Sequence, residues 1–488
     1  MFSQDVSNEW AVPDAVRKFV TALHRAITDR SAYEIADLYT VQYSKTTERF
    51  FKASPWPTAD LIADIVSNDA DFLVVYREMF YRHVHNNRDC FPTVQDRVAA
   101  FKNYIELFNI FLKQSESEPK LDLPQPWLWD IVNDFVLQKF AFDEWVATAD
   151  QEDLAQIAGE RDPIWSMPIV LQYLHALVNK GRVPLKLNPA VSPTDAGGDT
   201  GFGIANSTRT MAHFALICLA HVHMRLGDYQ TAIDTLEPID SRKRSQVAKM
   251  YSCFSTLHYT MALSFVMLHR FMEAIRVSAA LISYSQNTKA FAAHRAWEMT
   301  QGFGARTPFH DQTLALLAIA YAVCPNARID DSVLSTVKDE YGDEISEMDA
   351  GSTDVFRRLF DFASPPALGD AVEQRSHRLS IFLKEVTQRQ ALNGIDLFLK
   401  LYTTISVDKL ASALNMDAVS VLQQLLALKQ RNRMIQEGHA DITSSDVDFQ
   451  ICGDTVHVQY SKAPRGHTDF FLRNTYKLNE LARDIERM

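Results

Sequence analysis

The sequence predicts a mostly α-helical protein: an irregular tetratricopeptide-like array of helical hairpins, followed by a winged helix and a C-terminal helix. Three observations carry this prediction. Glycine is scarce, at 16 of 488 residues or about 3% against the usual value of about 7%, which favours long helices over many tight turns. A hydrophobic signature recurs at a fixed offset in the middle of the chain. Near the C-terminus, two short helical patterns give way to strict alternation.

The chain is longer than one compact core usually holds, so several domains or an elongated array are expected. Hydrophobic residues at 47% and charged residues at 23% are those of a folded globular protein. The longest apolar run, Leu314–Cys324, is too short for the roughly 20 residues of a bilayer-spanning helix, and Pro325 ends it. The opening MFSQDVSNEW has neither a basic start nor an apolar signal core. These features predict a cytosolic or nuclear protein with no membrane partner. Cys90, Cys218, Cys253, Cys324 and Cys452 are widely spaced with no CxxC pair, which predicts core thiols rather than a disulfide framework or a zinc knuckle. The formal charge of −12 disfavours a large nucleic-acid surface, because affinity for phosphate comes mainly from clustered Lys and Arg.

The first region, 1–187, is rich in aromatics. In LPQPWLWDIVNDF the residues Leu128, Ile131, Phe135 and Val136 recur at helical spacing after a Pro-containing start, as expected of a core helix. A Gly- and Pro-bearing break over 188–207 predicts a surface loop. It lacks the GK[ST] of a phosphate cradle and the third glycine of a dinucleotide fingerprint. A helical array is expected over 208–380. Within it, Tyr229, Ala232 and Ile233 align with Phe271, Ala274 and Ile275 at an offset of 42 (271 − 229). A large aromatic followed by a small alanine suits a second helix packing closely on its partner, in hairpins that bury their faces only by stacking.

The winged helix is expected over 381–461. Ser406 is a candidate N-cap, with Val407, Leu410, Ala411 and Leu414 following at i, i+3, i+4 and i+7. Asp417 opens a second helix with a broad apolar face of Val421, Leu422, Leu425, Leu426 and Leu428. Val447, Phe449 and Ile451, a Gly453-Asp454 turn, then Val456, Val458 and Tyr460 predict a hairpin. A DNA-reading version places polar or basic groups at the start of its second helix. Asp417, Ala418 and Val419 stand there instead, and the basic residues Lys429, Arg431 and Arg433 come late, so the shape suits protein assembly better. In the final helix, 465–488, Phe471, Asn474, Leu478, Leu481 and Ile485 form a two-heptad seam.

No catalytic constellation is legible. The HxH pairs His83/His85 and His221/His223 lie in helical patterns, where i and i+2 point about 200° apart and cannot share a metal. There is no HExxH, GxSxG or Walker motif. Asp339, Asp343 and Glu347 read as a solvated acidic face, and Arg242-Lys243-Arg244 is too short a cluster to define an RNA site. The expectation is a protein with no catalytic residues, no cofactor and no metal.

Four stretches carry a family resemblance: FFKASPWPTADLIADIVSNDADFLVVYREMFYRHV, LPQPWLWDIVNDF, FLKLYTTISVDKLASAL and DFFLRNTYKLNELARDIERM. The chain resembles PCI-domain proteins, the scaffold subunits of the proteasome lid, the signalosome and translation initiation factor 3. Within them it is most similar to the subunit L family of the eukaryotic initiation factor, from about Tyr39 to the C-terminus. The resemblance implies a PCI region over about 255–460, no enzymatic activity, and a cytoplasmic scaffold supporting preinitiation-complex assembly on the small ribosomal subunit and mRNA recruitment. Its neighbours would be subunits K and E, with any RNA contact indirect. A lid or signalosome scaffold is the alternative, and a nucleic-acid-binding winged-helix protein a third reading. The interface candidates are Phe449, Val456, Val458 and Tyr460 in the wing and Phe471, Leu478, Leu481 and Ile485 in the terminal helix. Some of these must instead fill the module's own core.

Overall fold

The computed structural model describes residues 12–52, 54–86, 92–113, 121–158, 164–183, 206–239, 250–287, 309–325, 327, 329–365, 371–414, 416–431, 433–434, 442–443 and 447–460. The chain divides into two compact units, Met1–Phe382 and Leu383–Met488. The predicted loop 188–207 lies outside the described residues apart from its last two, which begin a helix. Cys90, Arg242-Lys243-Arg244 and the predicted terminal helix with Phe471, Leu478, Leu481 and Ile485 also lie outside them.

The first unit opens with α1 (Asp14–Thr28), α2 (Ala32–Asp37), a π turn over Leu38–Gln42, α3 (Tyr43–Phe50) and α4 (Ala59–Ile62). The helices α5 (Ala70–Asn86), α6 (Val94–Lys113), α7 (Gln125–Val146), α8 (Gln151–Ala158) and α9 (Met167–Lys180) follow. Pro126 sits in the first turn of α7, where the N–H it lacks has no intrahelical partner to lose. Leu128, Ile131, Phe135 and Val136 are buried as their spacing predicts, and so are Trp127, Trp129, Val132 and Phe140. A helix apolar on most of its circumference belongs at the centre of a layer.

A cluster of buried charges lies inside this region. Arg82 on α5 is buried against Glu78, against Asp134 at 3.0 Å and near Asp130 at 3.5 Å. Glu78 also accepts the Trp127 indole N–H at 3.0 Å. The Tyr39 ring, on the π turn, stacks on Trp127 with centroids 4.6 Å apart.

The array continues with α10 (Asn206–Leu226), α11 (Tyr229–Leu236), α12 (Tyr251–Met267), α13 (Phe271–Asn287), α14 (Phe309–Val323), α15 (Asp331–Asp349) and α16 (Thr353–Ala363). The aligned aromatics Tyr229 and Phe271 are the first residues of α11 and α13. The aligned alanines Ala232 and Ala274 are buried, as close helix approach requires. The turns before them match as well. Gly227 and His269, again 42 apart, both have positive φ, +90° and +62°. Asp228 N–H donates to His223 O and Arg270 N–H to Phe265 O, so each turn closes its helix with the same carbonyl-capping pattern. Longer contacts tie the layers: Trp129 Nε1 donates to Ser252 Oγ at 3.0 Å and Tyr259 O–H to the Ala363 carbonyl at 2.7 Å.

The helix α17 (Ala371–Leu401) spans the division between the units. In the second unit its buried Leu392, Ile395 and Leu399 pack with β1 (Thr404–Ser406), α18 (Val407–Leu414), α19 (Ala418–Arg431), β4 (Val447–Cys452) and β5 (Thr455–Tyr460). The pairs β2 (Arg433–Met434) and β3 (Ile442–Thr443) form a separate two-stranded ribbon. The sheet order is β1-β5-β4, all antiparallel. Cys452 pairs with Thr455, leaving Gly453-Asp454 as a two-residue hairpin loop with φ of +61° at Gly453.

Candidate interaction surface

The winged module is built from a period-2 wing lying on two period-3.6 helices, and each period decides which side chains face inward. Phe449, Val456 and Val458 are 2%, 0% and 8% exposed and belong to the core formed by α17, α18, α19 and the sheet. This corrects the expectation of them as interface side chains: alternation turns them toward their own helices, where they fill the module's core. Tyr460 pairs with Val447 at the far end of the hairpin. The wing's outward face carries Gln450, Cys452, Thr455, His457 and Gln459. Cys452 is exposed, unlike the buried Cys218, Cys253 and Cys324. It follows the inward Ile451 by one residue, and so is not a core thiol.

The second helix, α19, holds the position from which a nucleic-acid reader would reach bases. Its core face is Val421, Leu425 and Leu428. Leu426, expected on that face, is 59% exposed, and Val419 is 61% exposed. On a 3.6-residue helix Val419, Gln423, Leu426 and Gln430 fall within about 60° of one another, opposite the core. This stripe carries no charge. The arc from Val421 to Leu428 is broader than one core can cover, and that breadth was the available sign that part of it faces out.

The one described lysine on α19 is not free for phosphate. Lys429 Nζ donates to the Phe449 carbonyl at 2.6 Å, lies 3.9 Å from Asp448 Oδ1 and sits over the Phe449 ring. The exposed Asp417 stands at the other end of the helix, where it would repel a phosphate backbone. The sheet, by contrast, ends in β4, whose outer edge pairs with no strand among the described residues. Such an edge is a template for another strand.

Among the described residues, the candidate metal and catalytic groups do not converge. His83 and His85 contact the Ser54 and Tyr81 carbonyls, and His221 contacts Thr260 Oγ1. Burial lowers the pKa of all three. Among the described residues no group of three His, Cys, Asp or Glu is placed to hold a metal ion. Asp339, Asp343 and Glu347 are exposed along α15. Ser285, His310 and Asp311 form a hydrogen-bonded chain of 3.0 and 3.1 Å with the connectivity of a nucleophilic triad. Ser285, however, is buried and close enough to donate to the Ile282 carbonyl at 2.7 Å. An oxygen held this way inside a helix is poorly placed to attack a substrate. No helix among the described residues is long and apolar enough to cross a membrane.

Comparison with known proteins adds a second line of evidence. Residues 96–478 match the family model described as RNA polymerase I-associated factor PAF67. Over almost its whole length the chain is similar to curated proteins named eukaryotic translation initiation factor 3 subunit L. The relative from Nematostella vectensis is 32% identical over 508 residues, covering 99% of this chain and 95% of its own. Those from Danio rerio and Homo sapiens are each 32% identical over 98% of this chain, covering 89% and 91% of their own lengths.

Proposed function

Since the chain belongs to the family of eukaryotic translation initiation factor 3 subunit L and so takes the role of a subunit of that factor, we propose that it serves there as a non-catalytic scaffold. In this reading it joins subunits K and E, supports preinitiation-complex assembly on the small ribosomal subunit and mRNA recruitment, and works in the cytoplasm. The PCI region runs over about 255–460, within a division into 1–187, 188–207, 208–380, 381–461 and 465–488. Any indirect contact with RNA runs through the complex.

One observation of geometry carries the scaffold reading: the α19 face that a nucleic-acid reader would fill with cations presents Val419, Gln423, Leu426 and Gln430, while Lys429 is held by the wing. The open β4 edge supports side-by-side pairing with another winged helix. Tyr460 on the adjoining strand, and the seam of Phe471, Leu478, Leu481 and Ile485, remain the proposed contacts beyond that edge.

The test is affinity purification of the tagged full chain from its native cells, with co-purifying proteins identified by mass spectrometry. Recovery of factor 3 subunits, K and E foremost, is expected. Recovery of proteasome-lid or signalosome subunits, or of RNA polymerase I without factor 3, would replace this reading.

A further inference from the structure

The N-terminal hairpin carries a groove lined by charged side chains. It lies between α1 and the α2–π-turn segment and encloses about 740 Å³. Its walls carry opposite charge. Arg17, Lys18 and Arg25 line the α1 side; Glu34 and Asp37 line the other, with the Tyr33 ring at the rim.

Among the described residues, few side chains engage these charged groups. Among the described residues the side chains of Arg17, Lys18 and Glu34 have no charged partner. Arg25 meets only the exposed Asp29 at 3.7 Å, and Asp37 accepts from Gln42 Nε2 at 2.9 Å. Tyr33 is 86% exposed, an unusual place for a ring whose burial would be favourable and whose type is enriched at protein interfaces.

We propose that this groove receives an α-helix from a neighbouring protein subunit, with carboxylates toward α1, basic side chains toward α2, and an apolar flank under Tyr33. The proposal rests on the reading of the chain as part of a multi-subunit assembly. Charge complementarity selects the occupant. A single-stranded RNA would gain from Arg17, Lys18 and Arg25 but would be repelled by Glu34 and Asp37 on the facing wall. A helix carries unlike charges three or four residues apart on one surface, so it satisfies both walls at once. The volume admits several side chains but not a whole helix about 10 Å across, so the partner lies along the groove with one face inserted.

The experiment uses the full tagged chain in its native cells, with a benzophenone amino acid in place of Tyr33 and the photo-adduct mapped by mass spectrometry. The expected adduct lies in a mixed-charge helical segment of a factor 3 subunit. Arg17→Glu with Lys18→Glu, both exposed, lowers its yield about tenfold while thermal unfolding and recovery of the remaining subunits stay unchanged. Reversing the acidic residues of the mapped segment restores the yield. An adduct with RNA or within the chain itself, or a yield indifferent to the charge reversal, overturns the groove assignment while leaving the scaffold reading intact. Failure of the unmodified chain to recover any factor 3 subunit overturns both.

Discussion

Gly227 and His269 occupy equivalent turns 42 residues apart, and both hold left-handed backbone. Only one of them is suited to it. A side chain at positive φ crowds the following carbonyl and costs roughly 1 kcal/mol, a penalty glycine escapes. His269→Gly should therefore raise stability by about 0.5–1 kcal/mol. Gly227→Ala should lower it by about 1 kcal/mol, although a Cβ there would meet no atom within 4 Å. Urea unfolding of the two variants checks the pair; equal and same-signed shifts would show that the two turns are not energetically equivalent sites.

Gly181 is required for space rather than for backbone freedom. It caps α9 in a right-handed conformation, and a Cβ built on it would stand 2.3 Å from the Ala212 Cβ on α10. Gly181→Ala must push these helices apart, at a cost of roughly 1–3 kcal/mol. The double variant with Ala212→Gly should cost less than the sum of the two single changes, because the clash needs both methyl groups. Additive costs in the double-mutant cycle would refute the contact.

Arg82 faces the buried carboxylates of Glu78 and Asp134 and the half-buried Asp130. Arg82→Met keeps most of the volume but leaves those charges in low dielectric. The expected loss is about 3–5 kcal/mol. Glu78→Gln retains an acceptor for the Trp127 N–H and should lose less. A denaturant midpoint for R82M within error of the parent would show that the cluster is not a stability element.

The helical patterns and the hairpin were legible because burial imposes a period: Leu128, Ile131, Phe135 and Val136 on α7, and Phe449, Val456 and Val458 in the wing, sit on the inward face that their spacing dictates. The same rule shows what sequence alone could not sort. Periodicity says which residues share a face, not how wide an arc the neighbours cover, so the spacing of Leu426 places it with the core face while it stands exposed. The strand β1 escaped notice because Thr404, Ile405 and Ser406 are too few for a period-2 signal; their pairing with β5 is a long-range contact. The groove at Tyr33 likewise depends on two helices meeting across a turn, and no linear motif records it.

Acid sensitivity follows from the buried histidines of the array. His221, between the Phe140 and Phe309 rings and near Arg225, has its pKa lowered to about 3, by burial first and then by the Arg225 charge. His258, whose Nδ1 contacts the Phe254 carbonyl, is lowered to about 4 by burial, against the opposing effect of that contact. Both are neutral in the folded chain near pH 7. Unfolding restores an ordinary pKa of about 6.5, so between the two values the unfolded chain binds more protons. Stability from this source is complete above pH 6.5 and falls as pH drops toward 4. At pH 5.5 the two groups together should remove roughly 3 kcal/mol. Replacing His258 with Gln, which cannot titrate, should flatten the slope of unfolding free energy between pH 7.5 and 5.5 by about half of that contribution. An unchanged slope in that variant would mean that His258 is already protonated, or already solvated, in the native array.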